Sequence, residues 1–325
     1  MFKNMYLSFC FLLKGVYDAM VLLLLKQLIE LFLMIGAGFL LVNCSILKSS
    51  DSKVLSLVCI YIVLPCVMIH AFQVDYSEQI RAGFLLAIAA AILIHLLLFL
   101  MTAFLGKLFS LDRVERASLI YSNAGNLVIP LVASILGEDW VIYASAFIVV
   151  QSIFLWTHGA SLMRGTTQFE LKRILTNINL IAIVIGIVLF FAKIRLPDIV
   201  DGTMSQISSM LGPISMIMIG MLLGDNDWNT ILGNHRLYGL TFLKMVVIPA
   251  AALALLKFSG ISRWAPHGDQ ILMITLLAVI APSAATITQL AQLYEFCPVY
   301  AGAINIMTTL VCIVTIPLMV SLYSL

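Results

Sequence analysis

Two stretches of this sequence place hydrogen-bonding residues inside otherwise apolar runs. The first is Ser122-Asn123-Ala124-Gly125-Asn126-Leu127-Val128-Ile129-Pro130, within the run from Ala117 to Leu136. The second is Ala281-Pro282-Ser283-Ala284-Ala285-Thr286, followed by Thr288 and Gln289, within the run from Ile271 to Leu293. Proline removes a backbone donor and disfavours helix at the residue before it, and Gly125 loosens the chain further. Non-helical backbone at membrane depth is tolerated only where it is buried in protein or lines a cavity. Half-helices that begin at such breaks aim free N–H groups and a positive dipole end at a ligand, which suits an anion. Asn123, Gly125, Asn126, Pro130, Pro282, Ser283, Thr286 and Gln289 are therefore the candidate substrate-binding residues. Neutral donors of this kind hold a carboxylate without burying a permanent counter-charge. The competing reading of the first stretch is a proline-kinked structural helix whose asparagines bond to neighbouring helices.

Ionisable and amide groups in the apolar runs form a second set of candidates. His158, Gln151 and Lys244 are candidates for ion coupling, to H+ or Na+. Each has a plainer alternative. His158 and His95 titrate near neutral pH and can relay a proton, or can simply be hydrogen-bonded in a bundle. Lys244 either attracts anions or snorkels to an interface. Gln151 either faces the site or bridges helices. Lys26 and Glu30 are spaced to pair on one helix face. The six cysteines include no CxxC pair and read as small buried hydrophobes. The sequence contains no HExxH, GxSxG, Walker A or GxGxxG pattern, so no enzyme signature, resident metal or cofactor is expected.

The elements that must position these residues are membrane helices. The chain has 325 residues, of which 62% are hydrophobic and only 10% charged, with a mean hydropathy of +1.10. Soluble domains carry about 25% charged residues, so an all-α integral membrane protein is expected, with the lipid bilayer as a partner. A net charge of +2 argues against nucleic acid. Ten apolar spans are expected, near Val21–Val42, Val54–Phe72, Ala82–Phe104, Ala117–Leu136, Val141–Leu162, Asn179–Ala192, Ile199–Gly224, Leu237–Leu256, Ile271–Leu293 and Val299–Tyr323. Residues 1–20 read as an extension of doubtful status, 21–164 as a first five-helix unit, 165–176 as a cytoplasmic loop and 177–325 as a second unit.

A short echo links the two units. Tyr143-Ala144-Ser145-Ala146 opens the fifth span and Tyr300-Ala301-Gly302-Ala303 the tenth, each after a span with a polar-plus-proline patch. Five crossings per unit would reverse the orientation of the second, giving an inverted repeat with broken, crossing helices four and nine. Gly36 and Gly38, and the pair Gly220 and Gly224, mark expected close helix approaches. The distribution of lysine and arginine favours both termini outside.

These residues resemble the auxin efflux carrier family, whose bacterial members include malate and malonate permeases. The resemblance runs from Met20 onward and rests on three features. They are Ser122 to Asn126 leading into Ile129-Pro130-Leu131, the break at Ala281-Pro282-Ser283, and Pro65 and Pro213 in the second and seventh spans. Val128 departs from the pattern, because glycine is common there. The resemblance implies a scaffold of spans one, two, six and seven, and a transport unit of spans three to five and eight to ten. It also implies elevator-like movement, a homodimer and an organic-anion substrate. Residence in the plasma (inner) membrane is expected. The alternative is a membrane sensor or scaffold that binds a ligand without moving it.

Overall fold

The structure, a computed structural model, describes residues 26, 29–73, 78–137, 140–165, 172, 175–224 and 233–324. The proposed extension at 1–20 and the start of the first span lie outside them. The described chain is almost wholly helical, and an isolated antiparallel bridge, Ser122 with Ser283, is its extended pairing.

In chain order the helices are α1 (Ile29–Asn43), α2 (Ser49–His70), α3 (Glu78–Leu108), α4 (Arg113–Ile120), α5 (Ala124–Leu136), α6 (Val141–Arg164) and α7 (Ile178–Phe191). There follow α8 (Asp198–Ser209), α9 (Leu211–Gly224), α10 (His235–Phe258), α11 (Gly268–Ile280), α12 (Ala285–Leu293) and α13 (Pro298–Ser324). Among the described residues, α2, α3, α6, the α8–α9 pair, α10 and α13 are long and apolar enough to cross a membrane. Helices α1, α7 and α11 are shorter and apolar.

The expected fourth and ninth spans are each split in two, into α4 and α5 and into α11 and α12. The first split falls at Tyr121–Asn123, not at Gly125 or Pro130, whose backbones lie inside α5. Pro130 lies in the interior of α5, where its missing N–H removes one bond to the preceding turn without ending the helix. The side chains of Asn126 and Pro130 lie outside the described residues.

Local chemistry sets several boundaries. Helix α4 starts on a capping box, with Asp112 accepting from Glu115 N and Glu115 accepting from Asp112 N, both at 2.8 Å. Asn177 and Asn234 cap α7 and α10. Single π-helical turns widen α2 at Cys59–Val63 and α10 at Leu243–Val247. Each ends two residues before a proline, Pro65 or Pro249, where the regular bond to the preceding turn is missing. A third widens α6 at Leu155–Gly159.

Packing divides the helices into two groups. In one, α2 lies against α7, α8 and α9, and α9 against α1. A Cβ on Gly220 would overlap the Ile35 carbonyl of α1, and one on Gly38 would overlap the Ile217 carbonyl of α9. Gly224 abuts Val42. Gly36, also expected at a close approach, faces open space instead. In the other group, α3, α6, α11 and α13 enclose a core that includes Ala87, Ile94, Phe147, Ile274 and Ile304. Helices α9 and α12 make the junction between groups, with α12 also against α2.

Candidate functional site

The two breaks meet at one point. Tyr121 leaves α4 in an extended conformation (φ −93°, ψ 129°), and Ala281 and Ala284 do so on either side of the second break. Asn123 N donates to Pro282 O at 2.7 Å, and Ala284 N donates to Tyr121 O at 3.0 Å. These bonds flank the Ser122–Ser283 bridge and lock the crossing chains antiparallel. Backbone groups taken out of the helices are thereby satisfied inside the protein, as burial requires.

Each break serine is also held by side chains from the second helix after it, α6 for Ser122 and α13 for Ser283. Ser122 N donates to Gln151 Oε1 and Gln151 Nε2 donates to Ser122 O, both at 2.9 Å. The Ser122 hydroxyl lies 2.5 Å from Ala278 O on α11. At the second break, Ser283 N donates to Thr308 Oγ1 at 3.1 Å and Asn305 Nδ2 donates to Ser283 O at 2.6 Å. The register that aligns Tyr143 with Tyr300 also aligns Gln151 with Thr308, and each accepts the N–H of its break serine.

Of the candidates expected from sequence, the crossing brings together Asn123, Gly125, Gln151, Pro282 and Ser283. Asn123 is 7% exposed. Gly125, in the first turn of α5, has no described atom from beyond its own turn within 4 Å of where a Cβ would stand. Thr286 is partly exposed in the first turn of α12. Gln289 reaches away, its Nε2 donating to Ser215 Oγ on α9 at 2.9 Å. Ser283 Oγ, Thr288 Oγ1, Gln289 Oε1 and Asn305 Oδ1 are buried with no hydrogen-bond partner among the described residues.

The ionisable candidates flank the first break. His158 Nδ1 lies 2.9 Å from the Tyr121 hydroxyl, which donates to Phe154 O at 2.9 Å, and its ring meets Phe99 edge-on. His95 Nδ1 bonds Ala91 O at 2.7 Å within a cluster of Phe99, Phe147 and Phe154. Lys244 is fully buried, and its Nζ donates to Leu119 O at 3.1 Å.

Sequence reasoning missed three features. Asn305 and Thr308 were visible only as polar residues in the tenth span, and the Tyr143/Tyr300 register was the signal that could have assigned Thr308. Ser122 was part of the motif but not singled out. A polar clamp at the ends of α4, α10 and α13 had no sequence signal. There the buried Glu115 carboxylate takes both arms of Arg236 and, at 3.1 Å, the Tyr300 hydroxyl. Arg236 also donates to Ser110 O at 2.7 Å. Glu115 precedes the apolar run that starts at Ala117. Burial pushes its carboxyl up, but Arg236, the Asp112 N–H and Tyr300 outweigh that and hold it below the ordinary carboxylate range.

A family profile described as membrane transport protein matches residues 23–173 and 163–320 of the chain. Comparison with curated proteins yields no significant match.

Proposed function

Because the chain belongs to the membrane transport protein family, the auxin efflux carrier family, we propose that it is a secondary transporter of a small organic anion. A mono- or dicarboxylate such as malate or malonate is the substrate class, carried by an elevator-like alternating-access cycle. Members of the family are transporters and not enzymes. The observation that carries the reading is the hydrogen-bonded crossing of two broken helices. It starts α5 and α12 from one buried point, so two positive helix ends and their free N–H groups converge where open space adjoins Gly125.

In this reading Asn123, Asn126 and Thr286 contact the anion, Gly125 leaves it room, and Pro130, Pro282, Ser283 and Gln289 shape the site. The equivalent anchoring of Ser122 by Gln151 and Ser283 by Thr308 supports two inverted five-helix repeats over 21–164 and 177–325. The close packing of α1, α2, α7, α8 and α9 supports a scaffold, against which the remaining helices move as the transport unit. A homodimer through that scaffold, both termini outside and residence in the plasma membrane complete the proposal.

The test is thermal stabilisation of the purified protein by a panel of mono- and dicarboxylates at two pH values, with and without Na+, followed by uptake into liposomes. Asn123→Ala is expected to lower uptake while leaving folding and insertion intact. Unchanged uptake by that variant would remove Asn123 from the site. Binding without flux in the parent protein would identify a sensor instead.

A further inference from the structure

The helix break leaves a carbonyl that, among the described residues, a buried lysine fills. In an unbroken helix Leu119 O would accept from Asn123 N, but that N–H is committed to Pro282 O. Lys244 supplies the missing donor from the π-helical turn of α10, with its Nζ 3.1 Å from Leu119 O. A cation there complements the negative end of the α4 dipole. An ammonium has three donors, however, and a single neutral carbonyl does not balance its charge.

Neighbouring charged and titratable groups do not balance it either. On α4, Arg113, Glu115 and Arg116 occupy the opposite end of the helix, and Glu115 is saturated by Arg236 and Tyr300. On α13, Tyr300 is spent on Glu115, Cys312 donates to Thr309 O, and Tyr323 lies at the far end. On α3, His95 is within electrostatic reach but offers no negative charge. Asp269 stands in the first turn of α11, remote in sequence from the break. On α10 itself, His235, Arg236, Tyr238 and Lys257 sit toward the helix ends. Among the described residues no carboxylate pairs with Lys244.

A buried charge without a partner is strongly disfavoured at membrane depth. The group has two ways out, which are to meet an anion or to give up its proton. We propose that Lys244 is the proton-exchanging group of the transport cycle, charged while a carboxylate occupies the site beside the first break and neutral while that site is empty. The inference rests on the anion-transporter reading above. On loading, Lys244 takes one proton from the compartment to which the site is open, and its ammonium offsets one negative charge of the substrate. On release, the carboxylate leaves and the proton follows it into the other compartment. One proton therefore moves with each substrate molecule through this group.

The experiment measures proton uptake on malate or malonate addition to weakly buffered, purified protein. Parent protein is expected to take up about one proton per molecule bound at alkaline pH. Lys244→Arg keeps the charge but holds its proton at every accessible pH, so it should bind malate with no proton uptake. Lys244→Met should bind at least about tenfold more weakly and also take up none. Parental proton uptake by either variant overturns the proposal.

If no carboxylate binds even the parent, the substrate reading fails, and the ligand-free protein decides the role of Lys244. A rise in Tm with increasing pH that both variants abolish retains proton exchange at this lysine, because a buried lysine that gives up its proton stops opposing folding. Identical Tm profiles in parent and variants overturn it and leave a helix cap.

Discussion

The two breaks solve one backbone problem with different side chains. At the first, a single residue, Gln151, satisfies both the N–H and the C=O of Ser122. At the second, the same two tasks on Ser283 are divided between Thr308 and Asn305. The surroundings diverge as well. The first break ends a helix on the buried amino group of Lys244, and α4 is anchored at its other end by the Glu115–Arg236 clamp. The second break is surrounded by buried oxygens with spare accepting capacity, those of Ser283, Thr288 and Asn305. A shared crossing geometry therefore does not make the two halves chemically equivalent. The first is tightly anchored and carries a buried lysine, and the second has no buried ionisable group among its described contacts and is rich in acceptors.

The sharpest way to break this comparison is at the clamp, which has no described counterpart on α11. Arg236→Ala leaves the Glu115 carboxylate buried and half-paired, and a loss of about 3 kcal/mol is expected, read as a fall in Tm. Arg236 is partly exposed, which places the effect at the lower end of buried-pair losses. Because the Glu115 carboxyl is held below its ordinary range in the folded protein, the clamp's contribution is fully present at neutral pH. It is lost as pH falls through that lowered value, so parent and Glu115→Gln should converge in Tm only in acid. Parallel Tm curves from neutral to acid pH would show that the clamp contributes nothing electrostatic.

An effect of similar size, with smaller ones beside it, tests the division of labour directly. Gln151→Leu orphans two buried backbone groups and should cost about 2–4 kcal/mol, whereas Thr308→Val or Asn305→Leu orphans one and should cost about 1–2 kcal/mol each. The double variant at 305 and 308 should then approach Gln151→Leu. If either single variant at the second break already matches Gln151→Leu, the backbone pairing there depends on one side chain and the contrast fails.

How far the sequence revealed this arrangement follows from the kind of signal each feature carries. Continuous apolar runs report burial and length, and the helices lie close to where those runs placed them. The existence of both breaks was legible because Asn123, Pro282 and Ser283 are costly inside hydrocarbon. Their positions were less so, since Pro130 and Gly125 are tolerated within α5 while the extended residues begin at Tyr121, an ordinary helix former. What holds the breaks was nearly invisible. Gln151, Asn305 and Thr308 act on chain segments far away in sequence, and only the Tyr143/Tyr300 echo connected two of them. The clamp of Glu115 with Arg236 joins the first turns of two separate helices, a pairing that helix periodicity does not encode.

The smallest expected effect lies outside both breaks and separates anchoring from movement. Lys53, at the start of α2, pairs with Glu295, in the turn after α12, at 2.6 Å. Both side chains are exposed, so the pair is screened by salt and adds little to stability. It nevertheless joins the group containing α2 to the group containing the crossing, and any sliding of one against the other must separate it. Lys53→Ala should leave Tm unchanged and alter the uptake rate by no more than about threefold at low salt, the difference vanishing at about 0.5 M salt. A fall in Tm as large as that of Gln151→Leu would mean that the two groups are welded at this contact. The breaks would then be stabilised by the whole bundle and not by the side chains that touch them.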